Sequence, residues 1–255
     1  MTRNDHAQTF HALHDGPAPL ILYNVWDAAT AQACVSTGAV AVATGSHSVA
    51  EAHGYPDGQA MPFDLLLTIA ARIAACVDVP LSVDFEGGYA YDDAGIADNL
   101  ARLIDVGVVG VNIEDQVIGG NGLHPIDAQA RRIAILRERA EQMGVPVFLN
   151  ARTDLFLEEP DSDRHDALMA EALKRAEAYG RAGASGFFVP RLSDVLIEPL
   201  CEAVALPVNV MATTPDADVA GLAARGVARI SHGPFPFIAA MRAFRERAAD
   251  ALTPR

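Results

Sequence analysis

The chain has 255 residues, 51% of them hydrophobic, and carries 19 Lys and Arg against 33 Asp and Glu, a formal net charge of −14. This length suits one large α/β domain over 1–255, with a polar or helical extension over 1–18. The acidic balance disfavours nucleic acid and anionic lipid as partners, and an anionic substrate would need a local cationic pocket.

The N-terminal stretch "MTRNDHAQTFHALHDG" has no apolar segment of the kind a signal peptide needs. No charge-free apolar run reaches 18 residues, so no membrane span is expected. Along the chain, short apolar runs alternate with helical patterns. The expected strands are 20–25, 39–44, 80–85, 110–115, 146–151, 186–190, 207–212 and 228–232. Helices are expected after each, over 27–37, 62–77, 92–106, 125–143, 163–182, 193–204, 215–225 and 235–251. The strands read as continuous apolar runs, as parallel strands buried on both faces do. Eight such units predict a (β/α)8 TIM barrel. A doubly wound open sheet is the alternative, but no G-x-G-x-x-G follows the first strand.

Cys34, Cys76 and Cys201 fall in alanine-rich helical stretches and are odd in number. They read as small buried side chains, with no zinc spacing and no disulfide framework. A reducing cytoplasm is the expected compartment. The single lysine, Lys174, lies on an amphipathic helix, which argues against Schiff-base chemistry.

In a barrel of this kind, chemistry gathers at the C-terminal ends of the strands. Those ends supply Trp26 and Asp27; Ser46 and His47; Asp84 and Glu86; Asn112, Glu114 and Asp115; Asn150, Arg152 and Asp154; Arg191; Asn209; Ser231 and His232. Asp84 and Glu86 are two apart in "VDFEGGY", so both are expected on one face, with Glu114 on the next strand about 4.8 Å away. Three hard oxygen donors suit Mg²⁺ or Mn²⁺. The competing reading is that the acids cap helices or pair with arginines. Arg152, in "NARTD", can hold a substrate carboxylate bidentately, pair with a strand-end acid, or do both.

The segments "YNVWDAATA", "ATGSHSVAEAHGYPDG", "VDFEGGY", "VNIEDQ", "FLNARTD" and "GFFVP" run in order over about 200 residues. Together they resemble the isocitrate lyase and phosphoenolpyruvate mutase superfamily. The resemblance implies a Mg²⁺-dependent barrel that makes or breaks C–C or P–C bonds of small 2-oxo or 2-hydroxy acids through an enolpyruvate-like oxyanion. It also implies a homo-oligomer, a dimer or tetramer, with the eighth helix swapped between subunits. The metal shell falls on Asp84, Glu86 and Glu114. Substrate-holding roles fall on Ser46, His47 and Arg152, and Asp57 falls on the active-site aspartate. Trp26, Asn121 and Asn209 are further candidates for substrate contact.

Family lyases carry K-K/R-C-G-H after I-E-D-Q, where this chain reads Gly120, Asn121, Gly122, Leu123 and His124. The lyase cysteine has no counterpart, so the resemblance does not carry isocitrate or methylisocitrate cleavage across. The expected activity is cleavage or decarboxylation of an oxaloacetate-like carboxylate through a metal-stabilised enolate. Phosphonopyruvate-type P–C chemistry and non-catalytic binding of a 2-oxo acid are the alternatives. For the proton, the sequence offers His124 in the loop and His232 at the end of the eighth strand, since imidazoles titrate near neutrality. Either could instead be structural, His124 as a solvated loop residue and His232 bonded to loop backbone.

Overall fold

Each of the eight apolar runs forms a strand: β1 (Leu20–Leu22), β2 (Val42–Ala43), β3 (Leu81–Asp84), β4 (Gly110–Glu114), β5 (Phe148–Arg152), β6 (Gly186–Phe188), β7 (Val208–Met211) and β8 (Arg229–Ser231). The structure, a computed structural model, describes residues 2–212, 214 and 216–253. All strand pairings are parallel, in the order β1-β8-β7-β6-β5-β4-β3-β2. A parallel bridge between Val25 and Thr44 links the two ends, so the sheet closes on itself as a (β/α)8 barrel.

Eleven α-helices accompany the strands among the described residues: α1 (Arg3–Ala12), α2 (Ala28–Ser36), α3 (Ser46–Ala52), α4 (Phe63–Ala74), α5 (Asp93–Asp105), α6 (Ile126–Gln142), α7 (Leu155–Glu158), α8 (Met169–Arg181), α9 (Ile197–Ala203), α10 (Val219–Ala224) and α11 (Phe235–Leu252). Amphipathic spacing builds the outer ring. In α4, for example, Leu66, Ile69, Ala70 and Ile73 are the buried stripe. The helices expected over 163–182 and 193–204 begin instead as 3-10 turns, Ser162–Leu168 and Asp194–Leu196. That expected over 215–225 forms only from Val219, and Pro215 lies outside the described residues.

The extension over 1–18 contains α1, started by a capping box between Thr2 and Asp5. Phe10 and His14 pack on Phe148 of β5, the His14 ring stacked at 3.8 Å. Burial drives the pKa of His14 down to about 3, with Arg229 adding to the effect.

The barrel interior is unusually polar. Inward positions of TIM barrels are mostly Val, Ile and Leu. Here Asn150 donates to Asn112 (2.9 Å) and Asn209 (3.1 Å), while Ser231 and Arg229 join the same network. At the other extreme is α11. Only Pro236 and Phe237, at its start, are buried, and the outer face of β1 leaves Ile21 44% exposed, with Tyr23, just past the strand, 49% exposed. Among the described residues, no helix is long and apolar enough to cross a membrane.

Candidate active site

Strand alternation sorts the rim. Glu114 and Asp115 are neighbours in sequence but face opposite ways. Glu114 points into the barrel mouth, where it is 3% exposed and 2.9 Å from the Nη1 of Arg152. Asp115 points outward and is fully buried. Its Oδ2 accepts from Arg175 (2.9 Å) and Tyr179 (2.8 Å) of α8, and its Oδ1 accepts from the Asp154 N–H (3.0 Å). Asp115 therefore anchors the ends of β4 and β5 to the outer helix.

Arg152, inward on β5, lies between acids. Asp154 grips it through Nε (2.5 Å) and Nη2 (2.9 Å), leaving Nη1 toward Glu114 and, at 3.9 Å, Asp84. The guanidinium lies 6.0 Å from the Phe188 ring centre. Its acid neighbours outweigh its burial and hold it charged. Burial among acids pushes Glu114 and Asp154 above the usual carboxylate range, with Arg152 opposing.

Asp84 closes β3 at 8% exposure. Its Oδ2 accepts the Ser46 N–H at 3.1 Å, while its buried Oδ1 has no partner. Two residues on, the alternation expected of Asp84 and Glu86 fails. Glu86 (φ 48°) and Tyr89 (φ 53°) adopt left-handed backbone on either side of Gly87 and Gly88. Such strain costs on the order of 1–3 kcal/mol per residue and clusters at functional sites. It turns Glu86 toward the Tyr89 hydroxyl and the Gln59 N–H, the latter at 2.7 Å. Burial, together with Asp84 and Asp57, raises the pKa of Glu86 to about 7.

The three proposed metal acids thus share one neighbourhood but do not form a closed shell. Among the described residues no group of three or more His, Cys, Asp or Glu is arranged to hold an ion directly. The reason is local: Glu86 is latched to Tyr89 and Gln59, and Glu114 to Arg152. The donor set still fits a hard divalent cation, which is usually bound through one or two carboxylates and keeps several waters. Asp84, with one unpartnered buried oxygen, is the residue best placed to hold it.

The other expected residues fall into four groups. Ser46 and His47 open α3 beside Asp84, and the His47 and Trp26 rings both approach Phe237, at 6.5 and 5.2 Å. Asp57 is exposed on the loop before α4 and adds its charge to that around Glu86. Asn121, Asn209 and His232 are not brought to the acids. Asn121 is exposed at the tip of a short ribbon in which the Val117 N–H donates to the Gly122 carbonyl at 2.9 Å. Gly119 (φ 72°) and Gly122 (φ 71°) turn that ribbon. Asn209 is consumed in the asparagine network below the rim. His232 does not face the rim, because Arg229 and Ser231 take the inward positions and alternation turns it outward. Its ring packs on Tyr23 at 5.1 Å, and burial lowers its pKa. His124 remains near the site. Its N–H donates to the Asp115 carbonyl at 2.7 Å, its ring lines a cavity beside Tyr89, and burial and Arg132 lower its pKa.

Besides Gln59 and Tyr89, which hold Glu86, four positioning residues on helices were not among the expected ones. Gln129 and Arg132 of α6 both reach the Glu114 carbonyl, and Arg132 also binds that of Gly87. Arg175 and Tyr179 hold Asp115. Their signal was a polar residue inside an apolar helical stripe, as in Ala172, Arg175, Ala176 and Tyr179. The half-buried Cys34, Cys76 and Cys201 carry free thiols. Burial raises the pKa of Cys34, and that of Cys201 to about 11.

Comparison with known proteins gives a consistent relationship. The family described as phosphoenolpyruvate phosphomutase matches residues 10–252. The crystal structure of a candidate phosphonomutase from Burkholderia cenocepacia is 41% identical, with a TM-score of 0.94 over 98% of this chain and 100% of that one. An uncharacterized protein of Mycobacterium tuberculosis is 34% identical over 236 residues, 92% of this chain and 85% of its own. A phosphonopyruvate hydrolase complexed with oxalate and Mg²⁺ shares the fold at 20% identity, with a TM-score of 0.83 over 100% of this chain and 92% of that one. Proteins among the matches also include 2-methylisocitrate lyases and an oxaloacetate acetylhydrolase.

Proposed function

The chain belongs to the phosphoenolpyruvate phosphomutase family, within the isocitrate lyase superfamily, and from that premise we propose that it is a Mg²⁺- or Mn²⁺-dependent lyase. Its substrate is a small 2-oxo or 2-hydroxy carboxylate, oxaloacetate-like at its reacting end, which it cleaves or decarboxylates. The observation that carries this reading is the buried pair Asp84 and Glu114 at the Nη1 of Arg152, with Glu86 in the same neighbourhood and one Asp84 oxygen unpartnered.

When bound, the divalent ion supplies Lewis-acid stabilisation of developing negative charge. Asp84 would be its main protein ligand, with Glu86 and Glu114 near enough to hold waters around it. Arg152 supplies the cationic pocket that an anionic substrate needs in an acidic protein, and Asp154 fixes its orientation. Ser46 and His47 hold the 2-oxo-carboxylate end, with Trp26 beside them. In decarboxylation the bond to the departing carboxylate breaks, CO2 leaves, and the electron pair passes through the adjacent carbon to the 2-oxo oxygen as an enolate, which Arg152 stabilises electrostatically. His124 or water then returns a proton to carbon.

A second reading, P–C cleavage or transfer with Asp57 beside the moving group, is favoured by the 41% identity to the candidate phosphonomutase. Assays of oxaloacetate, methylisocitrate and phosphonopyruvate, with Mg²⁺ and with chelator, separate the two. Metal-dependent turnover of oxaloacetate alone supports the lyase, and turnover of phosphonopyruvate alone replaces it.

The uncovered outer face of β1 and the detached α11 support a homo-oligomer, dimer or tetramer, in which α11 of one subunit covers another. Three unpaired thiols suit a reducing cytoplasm.

A further inference from the structure

The barrel has one narrow seam. Elsewhere neighbouring strands are joined by two to five paired residues, but among the described residues β1 and β2 meet only through the bridge between Val25 and Thr44. One buried side chain reinforces it. Asn24, 4% exposed and just past β1, donates from Nδ2 to the Thr44 carbonyl at 2.9 Å. Its Oδ1 accepts the N–H groups of His232 (2.9 Å) and Gly233 (2.8 Å), just past β8. The amide suits both sides at once. Aspartate would set an oxygen against the Thr44 carbonyl, and leucine would leave all three backbone groups without this partner.

Each segment that Asn24 ties together leads into the candidate site. Trp26 follows on its own segment. Ser46 and His47 follow Thr44. Phe237 follows Gly233, and the Trp26 and His47 rings both approach it, at 5.2 and 6.5 Å. The segments run close together: a Cβ on Gly45 would stand 3.6 Å from the Gly233 carbonyl oxygen and 3.7 Å from Asn24 Nδ2. Thr44 also joins the seam to the acids. Its hydroxyl accepts the Asp84 N–H at 3.0 Å, and the Ser46 N–H donates to Asp84 Oδ2 at 3.1 Å.

We propose that Asn24 is a positioning residue for the carboxylate end of the substrate. It locks the segments carrying Trp26, Ser46 with His47, and Phe237 into one wall beside Asp84. The inference rests on the head-group site of the lyase reading. Asn24 acts through geometry, and a misplacement of about 1 Å in such a wall can cost on the order of 100-fold in rate.

Trp26 is the only tryptophan of the chain, so its fluorescence reports on this wall directly. The test pairs that emission with calorimetric titration of oxalate in the presence of Mg²⁺, on full-length protein shown to be folded by circular dichroism. Wild-type protein is expected to bind oxalate. Asn24→Ala should bind it at least about tenfold more weakly, and its Trp26 emission should move to longer wavelength as the ring loses Phe237. Asn24→Ser, whose short hydroxyl cannot reach both sides of the seam, should behave alike and serves if the alanine variant does not fold.

Ser185→Ala is the structural control. Just before β6, that hydroxyl accepts from the Leu149 N–H (3.2 Å) and from Arg137 (2.8 Å), and its loss should change neither reading. If a folded Asn24 variant keeps the wild-type oxalate affinity, or keeps the wild-type Trp26 emission, Asn24 serves stability alone and the proposal is overturned while the head-group site stands. If wild-type protein does not bind oxalate, the head-group site is wrong and the inference falls with it.

Discussion

Buried charge is handled differently on the two sides of the barrel. On the β3–β5 side every buried arginine has acid or carbonyl partners: Arg152 with Glu114 and Asp154, Arg175 with Asp115, Arg132 with backbone. On the β7–β8 side Arg229 is 1% exposed, and no carboxylate lies within ion-pair distance of it among the described residues. It bonds only weakly to Ser231 and Asn112, both at 3.3 Å, and its Nη1 has no partner. Burial lowers its pKa to about 9, with Asp84 opposing. The first side is a set of exchangeable contacts that a cation or an anionic substrate can rearrange. The second is a fixed positive background beneath it.

Removing one partner of the paired side should have the largest effect. Asp115→Ala leaves the buried Arg175 with only Glu171 (3.1 Å) as an acid partner and takes away the acceptor of the Tyr179 hydroxyl. Such truncations cost about 3–5 kcal/mol, to be read by urea unfolding. A loss below about 1 kcal/mol would mean that Asp115 does not tie α8 to the rim.

The next effect is pH-dependent. Glu86 has a folded pKa of about 7, above its ordinary 4.5. The folded protein keeps this proton where the unfolded chain has lost it. The resulting stability is complete below about pH 4.5 and is lost as pH rises through 7. Glu86→Gln should therefore be more stable than wild type at pH 8 by up to about 3 kcal/mol, and nearly equal to it at pH 4.5. Equal stabilities at pH 8 would place Glu86 in a wetter setting.

Arg229→Met sharpens the contrast from the other side. Replacing an uncompensated buried charge with an apolar chain of similar length should raise stability by about 1–4 kcal/mol. Any loss would show that the asparagine network satisfies the guanidinium better than its long bonds suggest.

The smallest effects separate the two histidines. His124→Ala should lower kcat at least about tenfold, or ~1.4 kcal/mol of barrier. His232→Ala should leave kcat within about twofold, because its ring faces Tyr23 and not the mouth. The reverse order would return His232 to the reaction.

The sequence disclosed the strands because parallel strands buried on both faces must be apolar throughout, and all eight form where expected. It also disclosed the strand-end acids. What it hid was direction. Glu114 and Asp115 read alike as letters, and only the pleat separates a site residue from an anchor. The same alternation, counted back from Ser231, would have turned His232 outward. Glu86 lay beyond such counting, because left-handed backbone at 86 and 89 breaks the period. The asparagine layer was hidden too, since Asn112, Asn150 and Asn209 lie just below the rim and read as strand ends.

We propose above all that Asp84 heads a divalent-ion site. Calorimetric titration of Mn²⁺ at pH 8, where Glu86 is ionised, tests it on wild-type protein and Asp84→Asn. The wild type is expected to bind one ion per chain and the variant at least about 100-fold more weakly, with the unfolding midpoint little changed. Equal Mn²⁺ affinity in the two proteins would contradict it.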